Sequence, residues 1–284
     1  AAAAKLGSVD VLINSAVDLQ IKLANDGYAM HYKSPYAAEL PPWAVWRSEV
    51  FGFTFEPAVM VYNTKRFTDQ TAPRSRQALL RLLEQDSASL YGKVGTYDIS
   101  ASSVGYLLAS QDDLASSNFW GLANAMGEVN VQLYASSAAI LDNIEQGKLD
   151  LGYNVLGSYA LARQAAGHPI GIVIPQDYVL VLARSALIAR SAKHPEQARA
   201  FIDWLLSPQG QIIVNSQAGL GAVMPDSAQS PTRESLLKSS QGIVQPIALN
   251  PTLLVGLDRQ RHDRFIQNWK RVITDTRKKP PTGH

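Results

Sequence analysis

The amino-acid sequence predicts an α/β fold, on two observations. Short apolar runs of strand length alternate along the chain with segments of helical periodicity, an order typical of helices packed on sheets. The chain has 284 residues, of which 46% are hydrophobic and 18% charged, so it can build a substantial core at about twice the usual domain size. We therefore expect two α/β units and exclude disorder for the chain as a whole.

Composition excludes several further classes of protein. Cysteine is absent, which excludes disulfide scaffolds, thiol catalysis and iron–sulfur clusters. The net charge is +2, and no chain-wide bias points to nucleic acid. The basic excess is concentrated in Asp258–Lys279, with eight basic and three acidic residues. We interpret this segment as a solvated helix with Phe265 and Trp269 packed inward, and contact with an anionic membrane surface is the alternative.

Four apolar runs predict strands, at residues 9–13, 57–62, 170–174 and 178–183. Arg184 separates the last run from a further apolar stretch at 186–189. Neither stretch approaches the roughly 18 consecutive apolar residues of a membrane span.

Helical periodicity predicts helices at 17–26, 77–83, 122–126 and 138–146. Gly27 and Gly147 follow two of them, as is common after a helix C-terminus. A further helix begins at Pro195, and Ser207-Pro208 ends or kinks it. Its predicted buried stripe is Ala198, Phe201, Ile202, Leu205 and Leu206.

The sequence contains no specific catalytic or metal-binding motif. An S-x-x-K match at 235–238 lacks the accompanying motifs of serine acyl enzymes, and an exposed helix is the simpler interpretation. The five histidines are scattered singly, without a second ligand at helical or strand spacing. We therefore predict neither an enzyme nor a metal site or cofactor.

Polar clusters at the junctions between elements are more informative. Serines stand immediately before or within the start of predicted helical segments, where hydroxyl and backbone N–H groups and the helix dipole favour an anion. Ordinary N-capping is the alternative for each. Asn14 and Ser15 end the first strand, and Asp177 is a weaker candidate because it equally suits a turn before a strand. The cluster residues are Ser100, Ser102, Ser103, Ser136, Ser158 and Tyr159.

Segments along nearly the whole chain resemble the solute-binding proteins of ABC transporters, close to the ferric-iron-binding and phosphorylated-solute-binding group. The segment VDVLINS at 9–15 is similar to the family's D-V-x-x-S strand, and FEPAVMVYNT at 55–64 to the strand that crosses between lobes. The segment YGKVG at 91–95 resembles the entry into the second lobe. The helix AKHPEQARAFIDWLLSPQGQ at 192–211 resembles the family's best signature.

The resemblance implies a periplasmic binding protein fold, type II-like, with two lobes, a hinge and an interlobe cleft that closes on its ligand. Lobe one would comprise residues 1–63 and 184–284, and lobe two residues 64–183. Family members usually carry about 60 residues before the D-V-x-x-S strand, so a strand–helix–strand unit is expected to be missing here. The resemblance also implies a periplasmic location, without a signal peptide in this sequence, and an inner-membrane ABC permease as partner. We expect a monomer that binds no nucleic acid.

Two departures from the iron-binding members suggest which ligand is bound. Those members present two adjacent tyrosines where this chain keeps only Tyr159, and their acidic ligand falls on or beside Ser15. Ferric iron prefers several anionic oxygen ligands. The resemblance maps the anion-holding positions onto Ser100–Ser103 and Ser136. We therefore expect a small anionic organic solute: a sugar phosphate, phosphonate, phosphoglycerate or carboxylate. An Fe³⁺-binding protein and a ligand-sensing module that feeds a two-component kinase are the alternatives.

Overall fold

The computed structural model describes residues 9–224 and 243–275, and the chain divides into two compact units. Within these residues the first unit comprises 9–56, 181–224 and 246–258, and the second comprises 57–180, 243–245 and 259–275. The S-x-x-K match at 235–238 and His284 lie outside the described residues.

The described residues form eleven strands and nine α-helices, named in chain order. The strands are β1 Val11–Asn14, β2 Val45–Trp46, β3 Val50–Gly52, β4 Glu56–Asn63, β5 Val94–Tyr97, β6 Gln132–Tyr134, β7 Leu151–Leu156, β8 Ile170–Val173, β9 Tyr178–Leu182, β10 Ser185–Ile188 and β11 Ile243–Pro246. The helices are α1 Val17–Asn25, α2 Arg76–Gln85, α3 Ser103–Ala115, α4 Phe119–Glu128, α5 Ser137–Glu145, α6 Gly157–Ala165, α7 Pro195–Leu206, α8 Pro208–Ser216 and α9 Arg259–Asp275. The predicted strands and helices are confirmed, with ends shifted by a few residues.

The first unit is built on a four-stranded antiparallel sheet with the order β1-β10-β3-β2. Phe51, Ile188 and Ile202 are among its fully buried side chains. The buried amide of Gln20 on α1 donates to the carbonyl oxygens of Leu12 (3.1 Å) and Ser185 (3.2 Å). Helix α1 is thereby tied to the strands next to Asn14 and Ser15.

The Ser207-Pro208 pair ends one helix and begins the next. The Ser207 hydroxyl accepts a hydrogen bond from the N–H of Gly210 (3.1 Å), which caps α8. A Cβ at position 210 would overlap the carbonyl oxygen of Trp204, so glycine permits this tight junction. The predicted stripe of α7 is buried except at Phe201, whose side chain is 36% exposed.

The second sheet has seven strands: β11-β9-β4-β7-β5-β6 in order, with β8 also paired to β4. Strand β5 runs parallel to β6 and β7, whereas β4 is antiparallel to β7 and β8. The division between the two units falls inside β4, after Glu56, and inside β9, after Leu180. These boundaries lie seven and three residues before those that the sequence predicted, after Asn63 and after Ala183.

An ion pair of the first unit, with a fully buried carboxylate, lies next to these boundaries. Glu56 is fully buried and binds Arg184 through two hydrogen bonds, Nε to Oε1 (2.7 Å) and Nη2 to Oε2 (3.1 Å). The Thr54 hydroxyl also donates to Glu56 and accepts from the N–H of Arg184. Arg184, which interrupts the apolar stretch in the sequence, therefore forms a bidentate pair with Glu56. A buried carboxylate needs such a hydrogen-bonded partner of opposite charge.

The C-terminal helix α9 belongs to the second unit, which differs from the predicted assignment of 184–284 to lobe one. Its aromatic residues pack on α3 and α4: Trp269 stacks on Phe119 with ring centroids 6.1 Å apart, and Phe265 lies 5.6 Å from Tyr106. The prediction that Trp269 and Phe265 face inward is confirmed. The partner surface is far away in the sequence, so the helix pattern could not identify it. Among the described residues, no helix is both long and apolar enough to span a membrane.

Replacing Trp269 with alanine should test this packing. Because the side chain is only 3% exposed and lies in the core of the second unit, we expect Trp269→Ala to lower the free energy of unfolding by about 3–5 kcal/mol. Urea unfolding monitored by circular dichroism measures the loss. The control is Gln267, an exposed residue of the same helix. Gln267→Ala should change the free energy of unfolding by less than about 0.5 kcal/mol. Equal effects of both variants would contradict the observed packing of α9.

Candidate functional site

Three helices of the second unit begin at one edge of its sheet. Strands β7, β5 and β6 are adjacent and mutually parallel, so their carboxyl ends lie on the same edge. Helix α3 follows β5, α5 follows β6 and α6 follows β7 directly. The first N–H groups of each helix have no partner within it, and the helix dipoles add positive potential there. We call this edge, formed by residues 100–103, 136–137 and 157–159, the serine edge.

Two of the predicted serines cap these helices. The Ser102 hydroxyl accepts from the N–H of Gly105 (3.1 Å), and the Ser136 hydroxyl accepts from the N–H of Ala139 (3.2 Å). The N-capping interpretation is therefore confirmed for both. A hydroxyl that accepts a hydrogen bond keeps its own proton to donate. Capping and anion binding are compatible functions of the same side chain.

Ser137 connects the ends of two strands at the serine edge. Its buried hydroxyl oxygen lies 2.5 Å from the Tyr97 hydroxyl at the end of β5 and accepts from the N–H of Leu156 (3.0 Å) at the end of β7. The site predicted from the sequence included Ser136 but not Ser137. The sequence does not indicate which of the two serines faces the sheet, because the backbone turn before α5 sets the direction of each side chain.

The other predicted residues of the serine edge differ in exposure. Ser100 is exposed and donates to Oδ1 of Asp98 (2.6 Å), in the turn before α3. Ser103, the first residue of α3, is exposed. On α6, Ser158 is buried and Tyr159 is 40% exposed.

Three predicted residues are not part of the serine edge. Asn14 and Ser15 belong to the first unit, where the Asn14 side chain accepts from the N–H of Ala16 (2.9 Å) and Ser15 is partly exposed. Asp177 belongs to the second unit, but both of its carboxylate oxygens accept hydrogen bonds from Arg76, one from the backbone N–H (2.8 Å) and one from Nη1 (3.1 Å). These bonds fix Asp177 at the start of α2.

Arg76 is the centre of a buried polar cluster that sequence reasoning missed. Its Nε donates to the Tyr153 hydroxyl (2.8 Å), its Nη1 to the carbonyl of Tyr178 (2.7 Å), and its guanidinium lies over the Tyr178 ring at 3.6 Å. Its Nη2 approaches Oδ1 of Asp112 to 3.1 Å as an ion pair without hydrogen-bond geometry. Two carboxylates, Asp112 and Asp177, therefore face one guanidinium.

The fully buried carboxylate of Asp112 is held by hydrogen bonds on both oxygens. Oδ1 accepts from the Tyr178 hydroxyl (2.8 Å), and Oδ2 accepts from the Tyr153 hydroxyl (2.8 Å) and from Nδ2 of Asn154 (2.6 Å). Burial raises the pKa values of both tyrosines above their ordinary value. Burial alone would lower the pKa of Arg76, but the groups around it raise it overall. The tyrosines thus stay protonated donors and Arg76 stays charged.

A cavity of about 60 Å³ lies beside this cluster, lined by Arg76, Asp177 and Tyr178 among others. With a net negative charge from its carboxylates, the cluster is unsuited to an anion. Within residues 9–224 and 243–275, no group of three or more His, Cys, Asp or Glu side chains could hold a metal ion.

Comparison with known proteins identifies the family. Residues 1–238 match the model of the bacterial extracellular solute-binding proteins, so the chain belongs to this family. The substrate-binding protein of an ABC transporter from Agrobacterium tumefaciens is 37% identical, with a TM-score of 0.84 over 93% of this chain and 79% of its own. The chain is therefore the solute-binding component of an ABC transporter and not an enzyme, and such proteins deliver their ligands to a membrane permease.

More distant structures share the fold. The periplasmic binding protein AfuA from Actinobacillus pleuropneumoniae, solved with fructose-6-phosphate, is 19% identical, with a TM-score of 0.74 over 93% of this chain and 82% of its own. Iron-bound HitA from Pseudomonas aeruginosa is 20% identical, with a TM-score of 0.62 over 76% of this chain and 70% of its own. The predicted periplasmic binding protein fold is confirmed.

Removing the Ser137 hydroxyl should destabilise the serine edge. Ser137→Ala leaves the buried N–H of Leu156 without its acceptor, so we expect the free energy of unfolding to fall by about 1–3 kcal/mol. Tyr97→Phe should cost less, because the Ser137–Leu156 bond remains. Urea unfolding of both variants measures the difference. If Ser137→Ala costs no more than replacement of the exposed Ser103 by alanine, the bridge contributes nothing to stability.

Proposed function

We propose that this chain captures a small anionic organic solute in the periplasm and delivers it to an inner-membrane ABC permease. The solute is a sugar phosphate, phosphonate, phosphoglycerate or carboxylate, and its oxyanion group binds at the serine edge. Ser102, Ser103, Ser136, Ser158 and Tyr159 contribute hydroxyl or backbone N–H donors, with Ser100 at the rim. Asn14 and Ser15 are proposed as ligand residues on the sequence pattern alone.

The observation that carries this proposal is the start of three helices at one edge of the sheet. Each helix start presents backbone N–H groups that have no partner within the helix, and the positive end of a dipole, which together favour a phosphate or carboxylate. The capping hydroxyls of Ser102 and Ser136 add donors without a formal charge. Such a site binds an anion through oriented dipoles, independently of the chain's net charge of +2.

The donor chemistry favours an oxyanion over ferric iron. Hydroxyl and N–H donors are suited to an acceptor-rich anion, whereas Fe³⁺ needs anionic oxygen ligands. Asp98 is the carboxylate next to the serine edge, and its Oδ1 already accepts from both the N–H and the hydroxyl of Ser100. Asp177 is left out of the proposed ligand set because its carboxylate binds Arg76 and would repel an anion.

The ligand class is tested by thermal-shift measurements with fructose 6-phosphate, 3-phosphoglycerate, methylphosphonate, succinate, citrate and ferric citrate. A ligand present at 100 times its dissociation constant stabilises the folded protein by about 2.7 kcal/mol, a shift of several degrees. We expect at least one organic anion to give this shift. A response to ferric iron alone would overturn the proposal.

The location of the site is tested by a double variant. Ser102→Ala with Ser136→Ala removes two hydroxyl donors, and hydrogen bonds to charged groups contribute about 1.5–3 kcal/mol each, so we expect the affinity to fall at least tenfold. The matched control, Ser75→Ala with Ser207→Ala, removes two N-cap bonds of the same kind from α2 and α8. Titration calorimetry should give the control the affinity of the unmodified protein. Equal losses in both double variants would place the anion elsewhere.

A further inference from the structure

Contacts within the second unit fix which side of α9 faces the solvent. The helix spans Arg259–Asp275, so it is about 25 Å long. Trp269 and Ile273 are buried on its inward side, and Phe265 packs there against Tyr106. Because these side chains lie in the core of the second unit, the opposite side of the helix is held toward the solvent.

The exposed side of α9 is rich in basic residues. Residues seven positions apart lie almost on one line along a helix, and Arg264 and Arg271 are related in this way. All five basic residues of the helix are exposed. We call these five residues the basic face: Arg259, Arg261, Arg264, Lys270 and Arg271.

Neighbouring acidic side chains neutralise only part of the basic face. Asp263 approaches Arg259 to 3.9 Å on the helix surface. Arg271 donates to Oδ1 of Asn268 (3.4 Å), a neutral partner that leaves its charge uncompensated. Within the part of the chain that the structure describes, Arg264, Lys270 and Arg271 form no ion pair. The basic face therefore keeps positive charge at the surface.

The charge of the chain is divided unevenly, with the basic face on the positive side. The segment 258–279 contains eight basic and three acidic residues and has a net charge of +5. The whole chain has a net charge of +2, which leaves −3 for all other residues. An anionic surface would attract this segment and repel the remainder of the protein. Such a surface therefore selects one orientation, with α9 toward it.

The chemistry of the basic face fits lipid headgroups better than a protein partner. The centre of a protein interface is usually apolar and aromatic. No large apolar residue of α9 is exposed, among those whose side chains the structure describes. Anionic phospholipids attract clusters of Lys and Arg without any burial of apolar surface, and guanidinium groups bind phosphate oxygens well.

We propose that the basic face is a peripheral docking surface for anionic phospholipid headgroups. It holds the protein at the membrane that contains its permease, through electrostatic attraction and without insertion into the bilayer. This role goes beyond solute capture. It depends neither on the serine edge nor on the identity of the solute.

The proposal is tested by co-flotation of the full chain with lipid vesicles, without any solute. One set of vesicles is phosphatidylcholine alone, and the other contains about 30% phosphatidylglycerol. We expect binding to the anionic vesicles in about 20 mM NaCl and at least tenfold weaker binding in about 500 mM NaCl, because salt screens exposed charges. Equal binding to the two kinds of vesicle, or no binding to either, overturns the proposal.

A double variant tests whether the basic face is the part of the protein that binds. Arg264→Gln with Arg271→Gln should lower the partition coefficient on anionic vesicles at least tenfold. The matched control, Lys65→Gln with Lys148→Gln, removes the same charge from exposed residues of the second unit outside α9 and should stay within threefold of the unmodified protein. Equal losses in both double variants would show a response to net charge alone and overturn the assignment.

A charge-conserving variant separates electrostatic docking from damage to the helix. Arg264→Lys with Arg271→Lys keeps both charges and should bind anionic vesicles within threefold of the unmodified protein, whereas a tenfold loss would contradict an electrostatic contact. Binding to immobilised polyglutamate but not to anionic vesicles would identify an acidic protein surface as the partner and overturn the proposal. Since no solute is present, failure of these tests leaves the proposed solute-binding function untouched.

Discussion

The serine edge depends on the hydrogen bonds of one hydroxyl group. Ser137 begins α5, and its side chain holds the end of β5 through Tyr97 and the end of β7 through Leu156. Parallel strands bring their carboxyl ends to one edge, but they do not by themselves fix the height and tilt of the helices that follow. The Ser137 hydroxyl adds a link between the last residues of two strands and the start of α5. The start of α3 packs closely on the same strand end, since a Cβ at Gly105 would overlap Tyr97.

Each unit contains an arginine paired with a fully buried carboxylate. In the first unit Arg184 binds Glu56 next to the points where the chain passes between the units, and in the second Arg76 faces Asp112. Breaking such a pair leaves an uncompensated buried charge, so these residues constrain the backbone more strongly than surface ion pairs do.

Much of the fold was predictable because it is encoded locally. The apolar runs of β1, β4, β8 and β9 and the apolar stripe of α7 follow from strand and helix periodicity, and the N-caps follow from serine before a helix. The errors lie where distant segments meet. Phe201 fits the α7 stripe but is partly exposed, and α9 joins the second unit because its aromatic face packs on Phe119. Periodicity indicates that a face is buried and does not indicate what buries it.

The sequence by itself determined the α/β class, most of the elements, the membership of a solute-binding family and the N-cap serines Ser102 and Ser136. It did so because these features depend on residues close together in the chain. Only the tertiary structure decided that Asp177 binds Arg76, that Ser137 rather than Ser136 bridges two strand ends, and that Asp112 accepts a hydrogen bond from Asn154. Each of these contacts joins residues separated by 19 to 101 positions, and side-chain direction at such distances is set by packing and strand register.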